Sequence, residues 1–195
     1  MEDSKYHLVP KGGDKQQANN YRPISVLHVI GKVFEKLVHK LLYEYLNSNS
    51  LIHQVQSGFR PNHNTQDVLL KVVDNWRSSL DSKEVVGVVM VDLSKAFDMV
   101  NHKLLLEKLH SLGIVGTELQ WFLSYLSGRK QRVVMNGVCA EWSDVKAGVP
   151  QGSILGPLLF ITFVNDLPSG VNHSQVIVCM LMTPQCTLHT RIHLW

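Results

Sequence analysis

The stretch VVMVDLSKAFDMVNH, residues 88–102, joins a run of valines to Asp92 and then to a turn-like segment containing Ser94, Lys95, Phe97 and Asp98. Upstream it extends to EVVGVVMVD, residues 84–92, which is β-branched and apolar enough for a central strand buried on both faces. A carboxylate at the end of such a strand can hold a metal ion or act as a base. It can equally open an Asx turn, and for a lone strand-end aspartate that is the plainer reading. Ser94 and Lys95 then read as exposed turn residues, and Asp98 and Asn101 as caps of the next helix.

Working outward from this strand gives the order of elements. Ile30, Val33, Phe34, Leu37, Val38, Leu41, Leu42 and Tyr45 recur at helical spacing, which predicts an amphipathic helix over 28–46 stopped by NSNS. A loop, QSGFRPNHNT, follows, and Thr65 is expected to cap a helix with Val68, Leu69, Val72, Val73 and Trp76 on its apolar face. After the 84–92 strand come helices over 101–112 and 117–126, closed by Gly113 and Gly128. Asn136-Gly137 sits between two short strand-like runs and predicts a hairpin. KAGVPQGSILGP is a Gly- and Pro-rich turn leading into an apolar helix, LLFITFVNDL, and SQVIVCM, residues 174–180, reads as a further strand. This order predicts an α+β fold with a mainly antiparallel sheet.

Composition sets the outer limits. The 195 residues suit one domain or a large piece of a bigger one, and 45% hydrophobic with 18% charged residues argues against disorder. A net charge of +3 permits a polyanionic partner without identifying one. Cys139, Cys179 and Cys186 form no CxxC pair and leave an odd count, so no disulfide partner is expected. The polar N-terminus carries no apolar signal core, and no window reaches the roughly 20 apolar residues of a membrane span. No membrane association and an intracellular location, nucleus or cytoplasm, are the expectation. The ten histidines show no metal-ligand spacing, and no Ser, His or Cys stands in a nucleophile pattern.

Singly, Arg60 in SGFRP reads as a solvated loop arginine and Pro150-Gln151-Gly152 as a tight turn. In combination, YRPISVLHVIGKVFEKL, QSGFRPNHNTQDVLL, VDLSKAFDMVNHKLLLEKL and GVPQGSILGPLLFITFVNDL, in that order, closely resemble the reverse transcriptase domain of non-LTR (LINE-type) retrotransposons. The resemblance covers about residues 8–180. It implies the fingers and palm of a right-hand polymerase, RNA-directed DNA synthesis by two-metal phosphoryl transfer, and an RNA template, a DNA primer and dNTPs as partners. It implies that Asp92 is the catalytic, metal-binding aspartate for two Mg²⁺ ions, with the Leu93 carbonyl as a further ligand; hard Mg²⁺ prefers such oxygen donors. It implies nucleotide-binding roles for four residues. Phe97 would be the ring that excludes a 2′-hydroxyl, and Arg60 the cation on the triphosphate. Gln151 and Gly152 would form the turn lining the pocket, where glycine permits close backbone approach.

One part of the family pattern is missing. After a strand like SQVIVCM the family places Tyr or Phe and then Ala-Asp-Asp, whereas this chain continues LMTPQCTLHTRIHLW with no Asp or Glu beyond Asp166. Ala-Asp-Asp-Thr-Thr encoded as GCT GAT GAC ACC ACA reads, one base later, as Leu-Met-Thr-Pro followed by Gln or His, and residues 181–185 are Leu-Met-Thr-Pro-Gln. A frameshift near Met180 is therefore inferred. The expected layout is a polar N-terminal segment over 1–20, fingers and palm over 21–180 with an incomplete palm and no thumb, and a non-family, poorly ordered tail over 181–195. The chain as given is expected to be catalytically inactive. The competing readings are a non-catalytic nucleic-acid-binding or assembly protein, and a translated remnant with no function.

Overall fold

The computed structural model describes residues 4–10, 13–14, 16–17, 20–87, 89–93, 95–135, 137–170, 179–182 and 188–192. Ser94, Asn136, residues 174–178 of the expected strand, and residues 183–187 and 193–195 of the expected tail lie outside them. The chain divides into two compact units, one of residues 1–49 and 97–163, the other of residues 50–96 and 164–195.

The first unit carries a sheet and four helices. Strand β1 (Ser4–Pro10) pairs antiparallel with β2 (Tyr21–Val26), with Tyr6 opposite Ser25, and parallel with β4 (Lys130–Met135), with Tyr6 opposite Val133. The far edge of β4 takes β5 (Val138–Cys139) at one end and β6 (Ser143–Asp144) at the other, both antiparallel. The pairing of Met135 with Val138 leaves two residues in the turn, as Asn-Gly requires, and Gly137 has φ +80°. The N-terminal segment expected to be merely polar thus supplies a strand. Its alternation of Tyr6 inward with Lys5 and His7 outward is a half-buried period-two pattern in a segment too polar to stand out.

Helix α1 (Val29–Ser48) forms where its spacing predicts, but of the expected stripe Leu42 is the member that is buried among the described residues. Its buried residues are Glu35, Leu42 and Leu46, whereas Ile30 is 84% and Leu41 68% exposed. Helices α3 (His102–Ser111) and α4 (Gly116–Leu126) follow the anticipated bounds, and Gly113 and Gly128 adopt φ +90° and +66° after them. The core is built around α5 (Gly156–Phe163), apolar on every side, with Leu158, Leu159, Phe160 and Ile161 all buried. Leu105 and Leu109 of α3 and Phe122 and Leu126 of α4 are buried in the same unit. The Lys108 ammonium donates to the Phe163 carbonyl at 2.5 Å, placing a cation at the C-terminus of α5.

In the second unit, α2 (Thr65–Asp81) is capped one residue earlier than expected. Asn64 is the N-cap: its side-chain oxygen accepts from Asp67 N–H at 2.7 Å, and its amide donates back to the Asp67 carboxylate at 2.8 Å. Strand β3 is shorter than the apolar run suggests, covering only Val89–Asp92, and residues 84–87 are irregular. Among the described residues it has one partner strand, β8 (Leu188–Ile192), so it does not have the central position expected of it. Strand β8 pairs antiparallel with β3 and with β7 (Cys179–Met182), placing Asp92 opposite His189. The described parts of the tail, expected to be poorly ordered, are therefore strands: β-branched and apolar residues pair whatever reading frame produced them. Asn165 closes a loop in this unit, accepting from His53 N–H at 2.8 Å and donating to the Leu51 carbonyl at 2.7 Å.

The α+β class and the mainly antiparallel pairing hold, with β1–β4 the parallel exception. Among the described residues no helix is long and apolar enough to cross a membrane.

Candidate active site

The segment after β3 and the Pro-Gln-Gly turn are stitched together inside the first unit. Val149 N–H donates to the Phe97 carbonyl and Gly148 N–H to the Val100 carbonyl, each at 2.8 Å. A His102 ring nitrogen, Nε2, donates to the Gly148 carbonyl at 2.7 Å, which places the ring proton on that nitrogen. The Gln151 side-chain amide donates to Asp98 Oδ1 at 2.8 Å. Asp98 is thus a partner of Gln151 and not a helix cap; the cap is Asn101 alone, whose side chain accepts from Leu104 N–H at 3.0 Å.

Gly148 makes this close approach possible. With φ +93°, a Cβ there would lie 2.9 Å from both Asp98 Cα and the Asp98 carbonyl oxygen. Gly152 is the second required glycine, with φ +101° and a hypothetical Cβ 3.0 Å from the Ser25 carbonyl. Ser25 N–H in turn donates to the Gln151 carbonyl at 2.9 Å, fixing the turn to β2. The Phe97 ring lies against Phe160, centroids 5.0 Å apart, so its position is set by the core.

A buried carboxylate holds the other side of the turn. Glu35 accepts from Ile154 N–H at 2.8 Å through one oxygen and from the Tyr125 hydroxyl at 2.6 Å through the other. Burial, then the Glu35 charge, pushes the Tyr125 phenol well above its ordinary range. Trp121 stacks on Tyr125 at 5.3 Å, and the Arg129 guanidinium lies 5.3 Å from the Tyr125 ring centroid. Tyr6 is raised as well, by burial first and partly by the charge of Asp98, against an opposing effect of Arg129.

Three of the expected site residues, Phe97, Gln151 and Gly152, therefore belong to one bonded cluster in the first unit. The other three, Asp92, Leu93 and Arg60, belong to the second. Asp92 is the last residue of β3 and Leu93 the first beyond it. Arg60 sits between two residues of left-handed backbone, Phe59 at φ +56° and Asn62 at φ +62°, a costly conformation for a phenylalanine. Its Nη1 donates to the Gln56 carbonyl at 3.2 Å, and its buried Nε has no hydrogen-bond partner among the described residues. That is a cation with donors to spare, not the freely solvated arginine of the plain reading.

Sequence reasoning missed Glu35, Gly148 and the role of Asp98. The signal for Glu35 was present: it lies seven and eleven residues before Leu42 and Leu46, on their face of α1. The partners of Asp98 and Gly148 come from a segment about 50 residues away, which no local pattern contains.

Asp92 and the Leu93 carbonyl are oxygen donors of the kind hard Mg²⁺ prefers, whereas residues 181–185, Leu-Met-Thr-Pro-Gln, add no carboxylate. Among the described residues no group of three or more His, Cys, Asp or Glu could hold a metal ion.

Comparison with known proteins places this arrangement. The family model for reverse transcriptase (RNA-dependent DNA polymerase) matches residues 9–182. A probable RNA-directed DNA polymerase from transposon X-element of Drosophila melanogaster is 35% identical over 157 residues, 80% of this chain and 17% of that protein. The RNA-directed DNA polymerase from mobile element jockey of Drosophila funebris is 35% identical over 162 residues, 83% of this chain and 18% of that protein. The Pol polyprotein from type-1 retrotransposable element R2 of Popillia japonica is 30% identical over 162 residues, 82% of this chain and 22% of that protein. The chain thus spans less than a quarter of these relatives. Among solved structures, apo telomerase from Candida tropicalis truncated from its C-terminal domain matches with a TM-score of 0.60 at 14% identity, over 97% of this chain and 43% of that one. That likeness establishes the fold.

Proposed function

The chain belongs to the reverse transcriptase family, in its non-LTR retrotransposon branch, and on that premise we propose that it binds primer–template and deoxynucleotide without itself completing the chemistry. The observation that carries this reading is the Phe97–Asp98 segment locked against the Gln151–Gly152 turn by paired hydrogen bonds around Gly148. A rigid glycine turn beside an aromatic ring suits a flat base and a sugar, because backbone can approach the ligand and the ring edge can exclude a 2′-hydroxyl.

Reverse transcriptases use divalent metal ions. In the finer reading, two Mg²⁺ ions would be held in part by Asp92 and the Leu93 carbonyl, where they would activate a primer hydroxyl and stabilise the leaving pyrophosphate. Residues 181–185 offer no carboxylate to join Asp92 in that role, and no catalytic step is assigned to this chain. Arg60, whose Nε is unpaired among the described residues, suits phosphate oxygens through its fork of donors.

The test is equilibrium binding of an annealed RNA template and DNA primer, then of a 2′-deoxynucleoside triphosphate to that complex. The expected result is saturable binding that weakens steeply with salt as phosphate contacts are displaced. Absence of any primer–template binding at low salt would overturn the proposal and favour the remnant reading. A location in the nucleus or cytoplasm accords with such partners.

A further inference from the structure

We propose that Asp98 is a positioning residue that sets which way the Gln151 amide faces in the nucleotide pocket. The proposal rests on the nucleotide-pocket reading of Phe97, Gln151 and Gly152. A glutamine side chain ends in a nearly symmetric amide whose last torsion is broad, so on its own it offers N–H and C=O to a ligand interchangeably. An ionised carboxylate accepts hydrogen bonds and donates none. With Asp98 Oδ1 2.8 Å from Gln151 Nε2, the NH₂ group must face Asp98, and Oε1 must face away.

Everything around this pair is built to hold it. The Gln151 backbone is tied to β2 through Ser25 N–H at 2.9 Å, and the Asp98 backbone is pressed against Gly148, where no side chain fits. Val149 N–H fixes the Phe97 carbonyl one residue away, at 2.8 Å. Both ends of the Asp98–Gln151 bond therefore sit on anchored backbone, and only the side-chain torsions remain to be set. The carboxylate sets them, leaving one amide oxygen and one N–H for a ligand in a single arrangement. The ligand class this suits is a nucleotide with an adjacent donor and acceptor.

Asp98→Asn separates orientation from packing, because asparagine has the same shape but accepts the glutamine amide either way round. Binding of a 2′-deoxynucleoside triphosphate to the primer–template complex should weaken about five- to tenfold in Asp98→Asn, the worth of one oriented hydrogen bond. In a Gln151→Ala background the same change should have no further effect. The thermal midpoint of Asp98→Asn should stay near that of the unaltered chain. As a further check, the Gln151 side-chain amide resonances should shift between the unaltered chain and Asp98→Asn. Unchanged nucleotide affinity in Asp98→Asn, additive losses in the double variant, or Gln151 side-chain resonances unmoved by Asp98→Asn would each overturn the proposal while leaving the pocket standing. A chain that binds primer–template but no nucleotide would overturn the pocket reading, and this inference with it.

Discussion

Glu35 of α1 and Tyr125 of α4 meet in the core of the first unit, the phenol donating to the carboxylate at 2.6 Å while the second carboxylate oxygen accepts from Ile154 N–H. One buried side chain thereby joins two helices to the turn carrying Gln151. A carboxylate that is 5% exposed carries a large desolvation cost, which here is offset by using both oxygens.

Removing Glu35 should be among the more destabilising single changes in the chain. Glu35→Ala leaves Ile154 N–H without its carboxylate partner and the Tyr125 hydroxyl with Ser153 alone beside it, at up to about 1–3 kcal/mol each, so a loss of about 2–5 kcal/mol is expected. Urea unfolding midpoints at neutral pH measure it. A loss below the experimental error would show that the network contributes nothing to stability.

Tyr125 predicts a stability decline in alkali. Its folded-state pKa is raised above the ordinary 10.0, by burial first and Glu35 next, so the fold retains this proton more tightly than the unfolded chain does. The corresponding stability is complete below pH 10.0 and is lost as pH rises from there towards the folded-state value. Tyr125→Phe should reduce the slope of unfolding free energy against pH above that point, leaving the part owed to Tyr6, which is raised in the same sense. An unchanged slope would refute the assignment to Tyr125.

The two kinds of glycine should separate cleanly. Gly148→Ala forces both a left-handed alanine and a Cβ 2.9 Å from Asp98 backbone, and should cost about 2–5 kcal/mol. Gly128→Ala, with φ +66° and nothing within 4 Å of its Cβ, should cost only about 1–2 kcal/mol. Comparing thermal unfolding of the two variants tests whether the Gly148 contact, and not backbone conformation alone, is the constraint.

Primer extension should yield nothing. With Leu-Met-Thr-Pro-Gln at residues 181–185 and no carboxylate there, incorporation of dNTPs on an annealed primer, in Mg²⁺ or Mn²⁺, should not exceed that of an Asp92→Ala control. Any template-dependent excess over that control would show that the metal set is complete by another route.

Phe97 should discriminate at the sugar even without turnover. If the proposed pocket holds, Phe97→Ala should raise affinity for a ribonucleoside triphosphate relative to its 2′-deoxy counterpart in competition binding, because the ring proposed to meet the 2′-position is gone. It should also lower stability by about 1–3 kcal/mol, since the ring packs on Phe160 at 5.0 Å. Equal discrimination in both proteins would remove Phe97 from the pocket.

The sequence alone determined the helices α1 to α5, the Asn136-Gly137 hairpin and the four ordered motifs, because each is written in short-range spacing, turn chemistry or local wording that survives without knowledge of the fold. It could not determine that Asp98 faces Gln151, that Gly148 admits them both, or that Glu35 is buried, because those partners lie 53, 50 and up to 119 residues apart in the chain. Nor could it place β1, whose polar alternation acquires meaning only beside β2 and β4, or show that most of the apolar stripe of α1 stays exposed. Local periodicity specifies that a helix has an apolar side. Which side is buried, and which polar group goes in with it, is decided by the elements packed against it.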